Sequence, residues 1–188
     1  EFRRVLFRSG TAVKVVDQSR VEQPPGVEGD LLVWGGANFV GYLKRPEAYG
    51  HDDEDWFDTG DRAVMDADGY IRIAGRTKDI IIRGGENVPV AEVEGLLYRH
   101  PAVADAAVVA MPDARLGERG CAFVTLKPGQ SLDFKAMQDY FEAEQMTRHY
   151  TPERLEILEL MPRTATGKIQ KFQLREQAQQ LGPDPSIA

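Results

Sequence analysis

Cysteine is almost absent from this sequence. Of 188 residues only Cys121 is a cysteine, so no disulfide can form within the chain. Its neighbours Ala122-Phe123-Val124 make it read as a small apolar residue in a buried strand, and the expected compartment is the cytosol. Long apolar runs are missing too. Nothing approaches the roughly 20 residues that a membrane-crossing helix needs, and the start lacks the layout of a secretory signal. Basic charge is in deficit, with Lys+Arg 23 against Asp+Glu 30 and a net charge of -7. That balance argues against a nucleic-acid backbone or an anionic membrane surface as the main partner, since either favours clustered Lys and Arg. The three histidines, His51, His100 and His149, are scattered, with no second His or Cys at ligand spacing, which argues against a zinc site.

Several familiar motifs also fail on inspection. Gly167-Lys168 would end a phosphate-binding P-loop, but that motif needs Gly where Pro162 stands and Ser or Thr where Ile169 stands. Asp66-Ala67-Asp68-Gly69 has its Gly too early for a calcium loop and no closing Glu, so it reads as a hairpin turn. No Gly-x-Ser-x-Gly elbow is present.

What is there begins at Thr11. Residues Glu1 to Ser9 read as a non-native, adapter-derived segment and carry no weight in the fold argument. From Thr11 to Ile82, β-rich runs (Thr11 to Asp17, Leu31 to Trp34, Arg62 to Met65, Tyr70 to Ala74, Ile80 to Ile82) alternate with turn chemistry such as Pro24-Pro25-Gly26. After Gly84-Gly85 the period changes. Val90, Val93, Leu96 and Leu97 share one helical face, and His100-Pro101 should stop that helix. Val103 to Met111 and Cys121 to Leu126 read as strands. Phe134, Met137, Tyr140 and Phe141 make an amphipathic helix with Asp133 as its N-cap. Leu155 to Leu160 predicts a further strand and Gln170 to Gln180 a last helix, and the tail from 181 to 188 should fray. The implied class is α+β: a strand-rich segment, then a small domain of helices over a short sheet.

Three segments remain: Trp56-Phe57-Asp58-Thr59-Gly60-Asp61, Gly75-Arg76-Thr77-Lys78-Asp79 running on to Gly84-Gly85-Glu86-Asn87-Val88, and Pro162-Arg163-Thr164-Ala165-Thr166-Gly167-Lys168-Ile169. In this order and spacing they resemble the late motifs of the adenylate-forming acyl-CoA synthetase superfamily. The stretch from Gly26 to Val40-Gly41-Tyr42-Leu43 resembles the motif that precedes them.

The resemblance implies a two-step reaction. A carboxylate attacks the α-phosphate of ATP to give an acyl-adenylate, and the thiol of coenzyme A then displaces AMP. It implies that Asp61 accepts the two ribose hydroxyls, that Arg76 contacts ribose or phosphate oxygens, and that Lys168 brings an ammonium to the anions converging in adenylation. It further implies a hinge at Lys78 and a role for Gly84, Gly85 and Glu86 beside the pantetheine of coenzyme A. Taken singly, each has a plainer account: a turn carboxylate, surface Arg and Lys residues, and an ordinary β-turn.

By the same resemblance, residues 10 to 78 are the end of a large AMP-binding domain and residues 79 to 180 a small mobile domain. The superfamily's Ser/Thr/Gly-rich phosphate loop and Tyr-Gly-x-Thr-Glu-like segment do not occur here. The expectation is therefore the last third or so of a longer ligase, inactive alone, with Mg2+ and most of the ATP held by the missing part. An adenylation domain that loads a carrier protein shares every motif, and a non-catalytic module retaining the fold is the alternative of another class. The string around Gly84 to Pro89, with Leu96-Leu97-Tyr98-Arg99-His100-Pro101, looks most like ligases for alicyclic, aromatic or medium-chain acids such as cyclohexanecarboxylate.

Overall fold

The structure is a computed structural model that describes residues 10–36, 38, 44 and 50–181. The segment 1–9, the Val40 to Leu43 part of the resemblance and residues 182–188 of the tail lie outside the described residues. The chain divides into two compact units, residues 1–78 and 79–188.

Unit 1 is an antiparallel meander. Strands β1 (Thr11–Val16), β2 (Glu28–Gly35), β3 (Phe57–Met65) and β4 (Ile71–Arg76) lie in the order β1-β2-β3-β4. The β3–β4 turn is the hairpin that its sequence predicts. The Asp66 carboxylate accepts the N–H groups of Asp68 (3.0 Å) and Tyr70 (2.8 Å), so side-chain bonds satisfy the turn. Val15, Leu31, Ala63 and Ile71, one from each strand, form its apolar cluster.

Strand β3 begins earlier than the sequence suggests. Phe57 to Asp61 stands in the ladder rather than in a loop, and β3 pairs with β4 from Asp61↔Arg76 to Met65↔Ile71 with a register shift between Arg62 and Ala63. The turn residues in this stretch conceal a bulged strand.

Unit 2 starts with Asp79, the last residue of a one-turn 3-10 helix, Thr77–Asp79. It continues through β5 (Ile81–Arg83), β6 (Glu86–Val88), α1 (Val90–Arg99), β7 (Val103–Asp113), β8 (Gly117–Leu126), α2 (Phe134–Ala143), β9 (Arg154–Ile157) and α3 (Lys171–Ala178). The sheet order is β6-β5-β8-β7, with β9 added parallel to β8. That parallel pair needs a crossover, and α2 supplies it.

Alternate residues of β7 face opposite ways. Ala106 and Val108 join Val93, Leu97, Met137 and Phe141 on one side; Val109 and Met111 join Cys121, Phe123, Leu174 and Ala178 on the other. Helices thus cover both faces of the sheet. This explains why Val103 to Met111 and Cys121 to Val124 are nearly unbroken apolar runs, and Cys121 is fully buried as expected. Asp133 caps α2 by accepting the Ala136 N–H at 2.7 Å, and α1 ends at His100. Leu155 to Leu160 is only partly strand: after Ile157 one more bond, Leu158 N–H to the Val124 carbonyl (2.8 Å), is made before the chain leaves for buried Met161. Among the described residues no helix is long and apolar enough to cross a membrane.

Candidate functional site

In unit 1 the structure brings Asp61 and Arg76 together. They face each other across β3 and β4, and Arg76 Nε donates to Asp61 Oδ1 at 2.7 Å. The local turn does not draw on this carboxylate. Asp58 accepts the Gly60 N–H (2.8 Å) and Thr59 Oγ1 accepts the Asp61 N–H (3.0 Å), so neighbouring side chains meet the backbone's needs. Gly60, at φ +69, supplies a left-handed step that a side chain would resist. The turn-carboxylate account of Asp61 therefore passes to Asp58 and Thr59. The carboxylate of Asp61 is 29% exposed and the guanidinium of Arg76 64%. An acid that accepts hydroxyl protons and a guanidinium fork that suits anionic oxygens thus lie side by side at the surface.

In unit 2, Lys168 sits on a hairpin. Thr164 N–H donates to the Lys168 carbonyl (2.8 Å), Gly167 N–H to the Thr164 carbonyl (2.9 Å) and Gln170 N–H to the Pro162 carbonyl (2.8 Å). Thr164 Oγ1 accepts the Lys168 N–H at 3.1 Å. Arg163 donates to the Gly167 carbonyl and, at 2.5 Å, to Asp105 on β7, whose carboxylate raises the guanidinium's pKa further above its ordinary value. The Thr-Ala-Thr-Gly stretch is therefore an ordered, cross-braced turn. Residue Lys168 is exposed, and its ammonium makes no hydrogen bond or ion pair among the described residues.

Gly84 and Gly85 join β5 to β6 at φ +60 and +89, the two left-handed steps of a tight hairpin turn. The hairpin requires these glycines whatever else they do. Gly84 N–H is fixed to the Leu116 carbonyl at 2.8 Å. Below the turn lies an ion cluster in which Arg83 reaches Glu153 (2.7 Å) while Arg119 reaches Glu153 (3.2 Å) and Asp113 (2.5 Å). The bond to Glu153 raises the Arg83 pKa, and the Leu116 N–H leads the groups that lower that of Asp113. Arg83 also donates to His149 Nδ1 at 2.9 Å. Because a guanidinium only donates, Nδ1 is an acceptor here, and Nε2 lies 3.1 Å from Glu86 Oε2 with no hydrogen bond between them. Glu86 thus stands beside His149 at the surface end of the cluster. Lys78 is exposed and lies in the Thr77–Asp79 turn, where the two units divide.

Sequence reasoning missed several partners: Asp105 for Arg163, Glu94 and Asp79 for Lys171, and Asp79 for Arg175. A four-residue spacing of Lys171 and Arg175 on one helix was the only local signal. A groove of about 540 Å³ in unit 2, lined in part by Arg83, Met146, Arg148 and Glu153, contains none of the residues singled out from sequence. Among the described residues no group of three or more His, Cys, Asp or Glu could hold a metal ion.

Residues 92–168 match the family described as AMP-binding enzyme C-terminal domain. The chain is 47% identical over 171 residues to the medium-chain fatty-acid–CoA ligase of Escherichia coli (strain K12), a match covering 89% of this chain and 30% of the ligase. It superposes on ATP-bound MatB from Rhodopseudomonas palustris with a TM-score of 0.82 at 32% identity, covering 89% of this chain and 34% of that one. Against the anthranilate CoA ligase AuaEII in complex with anthranoyl-AMP the TM-score is 0.81 at 34% identity, covering 92% and 34%. The chain thus spans about a third of the length of the proteins it matches.

Proposed function

We propose that this chain, which carries the C-terminal domain of the AMP-binding enzymes, serves in an ATP-dependent carboxylate–CoA ligase that forms an acyl-adenylate and then a thioester. In this reading Asp61 accepts the ribose hydroxyls and Arg76 meets ribose or phosphate oxygens. Lys168 supplies charge in adenylation. As carboxylate and α-phosphate close on each other, negative charge grows on the phosphoryl oxygens, so a cation beside them stabilises the transition state more than the ground state.

The single observation that carries the reading is the pairing of Asp61 with Arg76 on adjacent strands, alongside a lysine whose ammonium the described protein leaves unused. Because the Lys168 hairpin is braced, the ammonium travels with unit 2, and rotation at Lys78 is the movement that exchanges it for the Gly84–Glu86 turn beside the thiol of coenzyme A. Medium-chain, alicyclic or aromatic acids are the substrate class. Mg2+ accompanies ATP and is held outside these residues, and the enzyme works in the cytoplasm, where both nucleotides are abundant.

The test is a chimera in which residues 10–181 replace the matching third of the E. coli ligase. Pyrophosphate release is screened over carboxylic acids with and without coenzyme A. Lys168→Ala should slow adenylation by roughly 10²–10³, with thioester formation from supplied acyl-adenylate preserved. Equal loss in both half-reactions refutes the assignment of Lys168, and pyrophosphate exchange without coenzyme A turnover points to a carrier-protein acceptor.

A further inference from the structure

The Lys168 hairpin is fastened on both sides. Ahead of it, Arg163 holds Asp105 on β7. Behind it, Lys171 at the start of α3 reaches Glu94 of α1 at 2.7 Å, and the same carboxylate oxygen accepts the Val108 N–H of β7 at 2.7 Å. One turn further along α3, Arg175 donates to Asp79 Oδ1 at 2.6 Å, while Lys171 Nζ lies 4.0 Å from Asp79 Oδ2. Asp79 is the residue directly after Lys78. Two cations and two anions, with side chains 18% to 32% exposed, thus join the chain just past the pivot to the helix that begins three residues beyond Lys168.

This arrangement has a mechanical meaning. A rotation at Lys78 can aim Lys168 only if the chain leaving the pivot is rigidly tied to the hairpin. The peptide path from Asp79 to Lys168 runs through the whole unit, whereas the Asp79–Arg175 bond shortens it to one turn of α3. We propose that Asp79 is a positioning residue for adenylation, which fixes Lys168 relative to the pivot through Arg175, Lys171 and Glu94. This inference rests on the roles given above to Lys168 and Lys78.

The Gly84–Glu86 turn offers an internal control, because its brace of Arg83, Glu153, Arg119 and Asp113 shares no member with the Asp79 cluster. Loosening the Asp79 cluster should therefore disturb the lysine face and spare the thiol face. A merely structural ion cluster would weaken both.

The experiment uses the same chimera carrying Asp79→Asn, with both half-reactions and amide exchange measured. Expected is a fall in adenylation kcat of about 10- to 100-fold, the scale for a misplacement near 1 Å. The KM for ATP and the thioester step from supplied acyl-adenylate should hold within about two-fold. The Gly167 and Lys168 amides should exchange about ten-fold faster while those of Val109 and Cys121 hold. Equal loss in both half-reactions, or unchanged exchange at Gly167 and Lys168, overturns the proposal. If Lys168→Ala cripples adenylation and Asp79→Asn does not, this inference alone fails. Should Lys168→Ala be harmless, the functional reading falls with it.

Discussion

Unit 1 gathers Val15, Leu31, Ala63 and Ile71 into its cluster and leaves Val21, Val27, Trp34 and Ile73 between 43% and 60% exposed. Unit 2, the longer at 110 residues (79–188) against 78 (1–78), buries apolar residues on both faces of its sheet and closes each face with helices. Both are built largely of antiparallel strands, with β9 the parallel addition in unit 2. What separates them is the supply of covering elements: among the described residues the meander has no α-helix packed on it, whereas α1, α2 and α3 give the second sheet its own interior. A sheet needs something packed on it to be stable, and by that criterion unit 2 is self-sufficient, whereas the described residues of unit 1 are not.

The strongest way to break this comparison is to part the units. Residues 79–181 expressed alone should unfold in urea in one cooperative transition, with an m-value of about 1 kcal/mol/M, as for a domain of roughly 100 residues. Residues 10–78 alone should show no such transition and should associate through Trp34 and Ile73. Circular dichroism and sedimentation decide it, and a cooperative, monomeric 10–78 would remove the contrast.

A smaller perturbation sharpens it. Phe123, 1% exposed under α3, fills the second face of the unit 2 sheet. Phe123→Ala should cost about 3–5 kcal/mol in residues 79–181, a large share of a domain's typical margin. Ile71→Ala in the full chain should lie near the low end of the range for such a change, about 2 kcal/mol, because the cluster it leaves is small and free to relax. Equal costs in urea titrations would mean that unit 1 is as tightly packed as unit 2.

Local chemistry was legible in the sequence in the same proportion. The apolar runs of β7 and β8, the Asp133 cap, the His100 stop and the Asp66 hairpin follow from residue type and spacing alone. The resemblance gave Asp61 and Arg76 separate contacts with the nucleotide, and only the β3–β4 register brings the two side chains together. Less legible were elements whose identity depends on remote partners. Phe57 to Asp61 looks like a loop until β4 supplies Arg76 opposite Asp61. Glu86–Val88 is too short to read as a strand until β5 folds back on it. The brace of the Lys168 hairpin is the extreme case, since Asp105 lies 58 residues from Arg163 and Asp79 lies 96 from Arg175. Ion pairs at such separations leave no period in a sequence, and a Thr-Ala-Thr-Gly stretch read locally looks flexible.

The finest test of unit 2's self-sufficiency is its response to acid. His100 Nδ1 accepts the Ala102 N–H at 3.2 Å, and the ring meets Tyr140 edge-on at 4.7 Å. Burial, with a further contribution from the Lys127 ammonium, holds this imidazole below its ordinary value. The unfolded chain, with a His pKa near 6.5, therefore takes up its proton first, so stability rises with pH across this window. The contribution is complete above about 6.5 and is lost as the pH falls through the folded value. Asp113, held low chiefly by the Leu116 N–H, titrates below the ordinary carboxylate range and so outside this window. Residues 79–181 should thus lose a little melting temperature between about pH 7 and pH 5, and His100→Asn should flatten part of that slope. A variant whose melting temperature falls as steeply as the parent's would show that the α1 stop contributes nothing through its charge state.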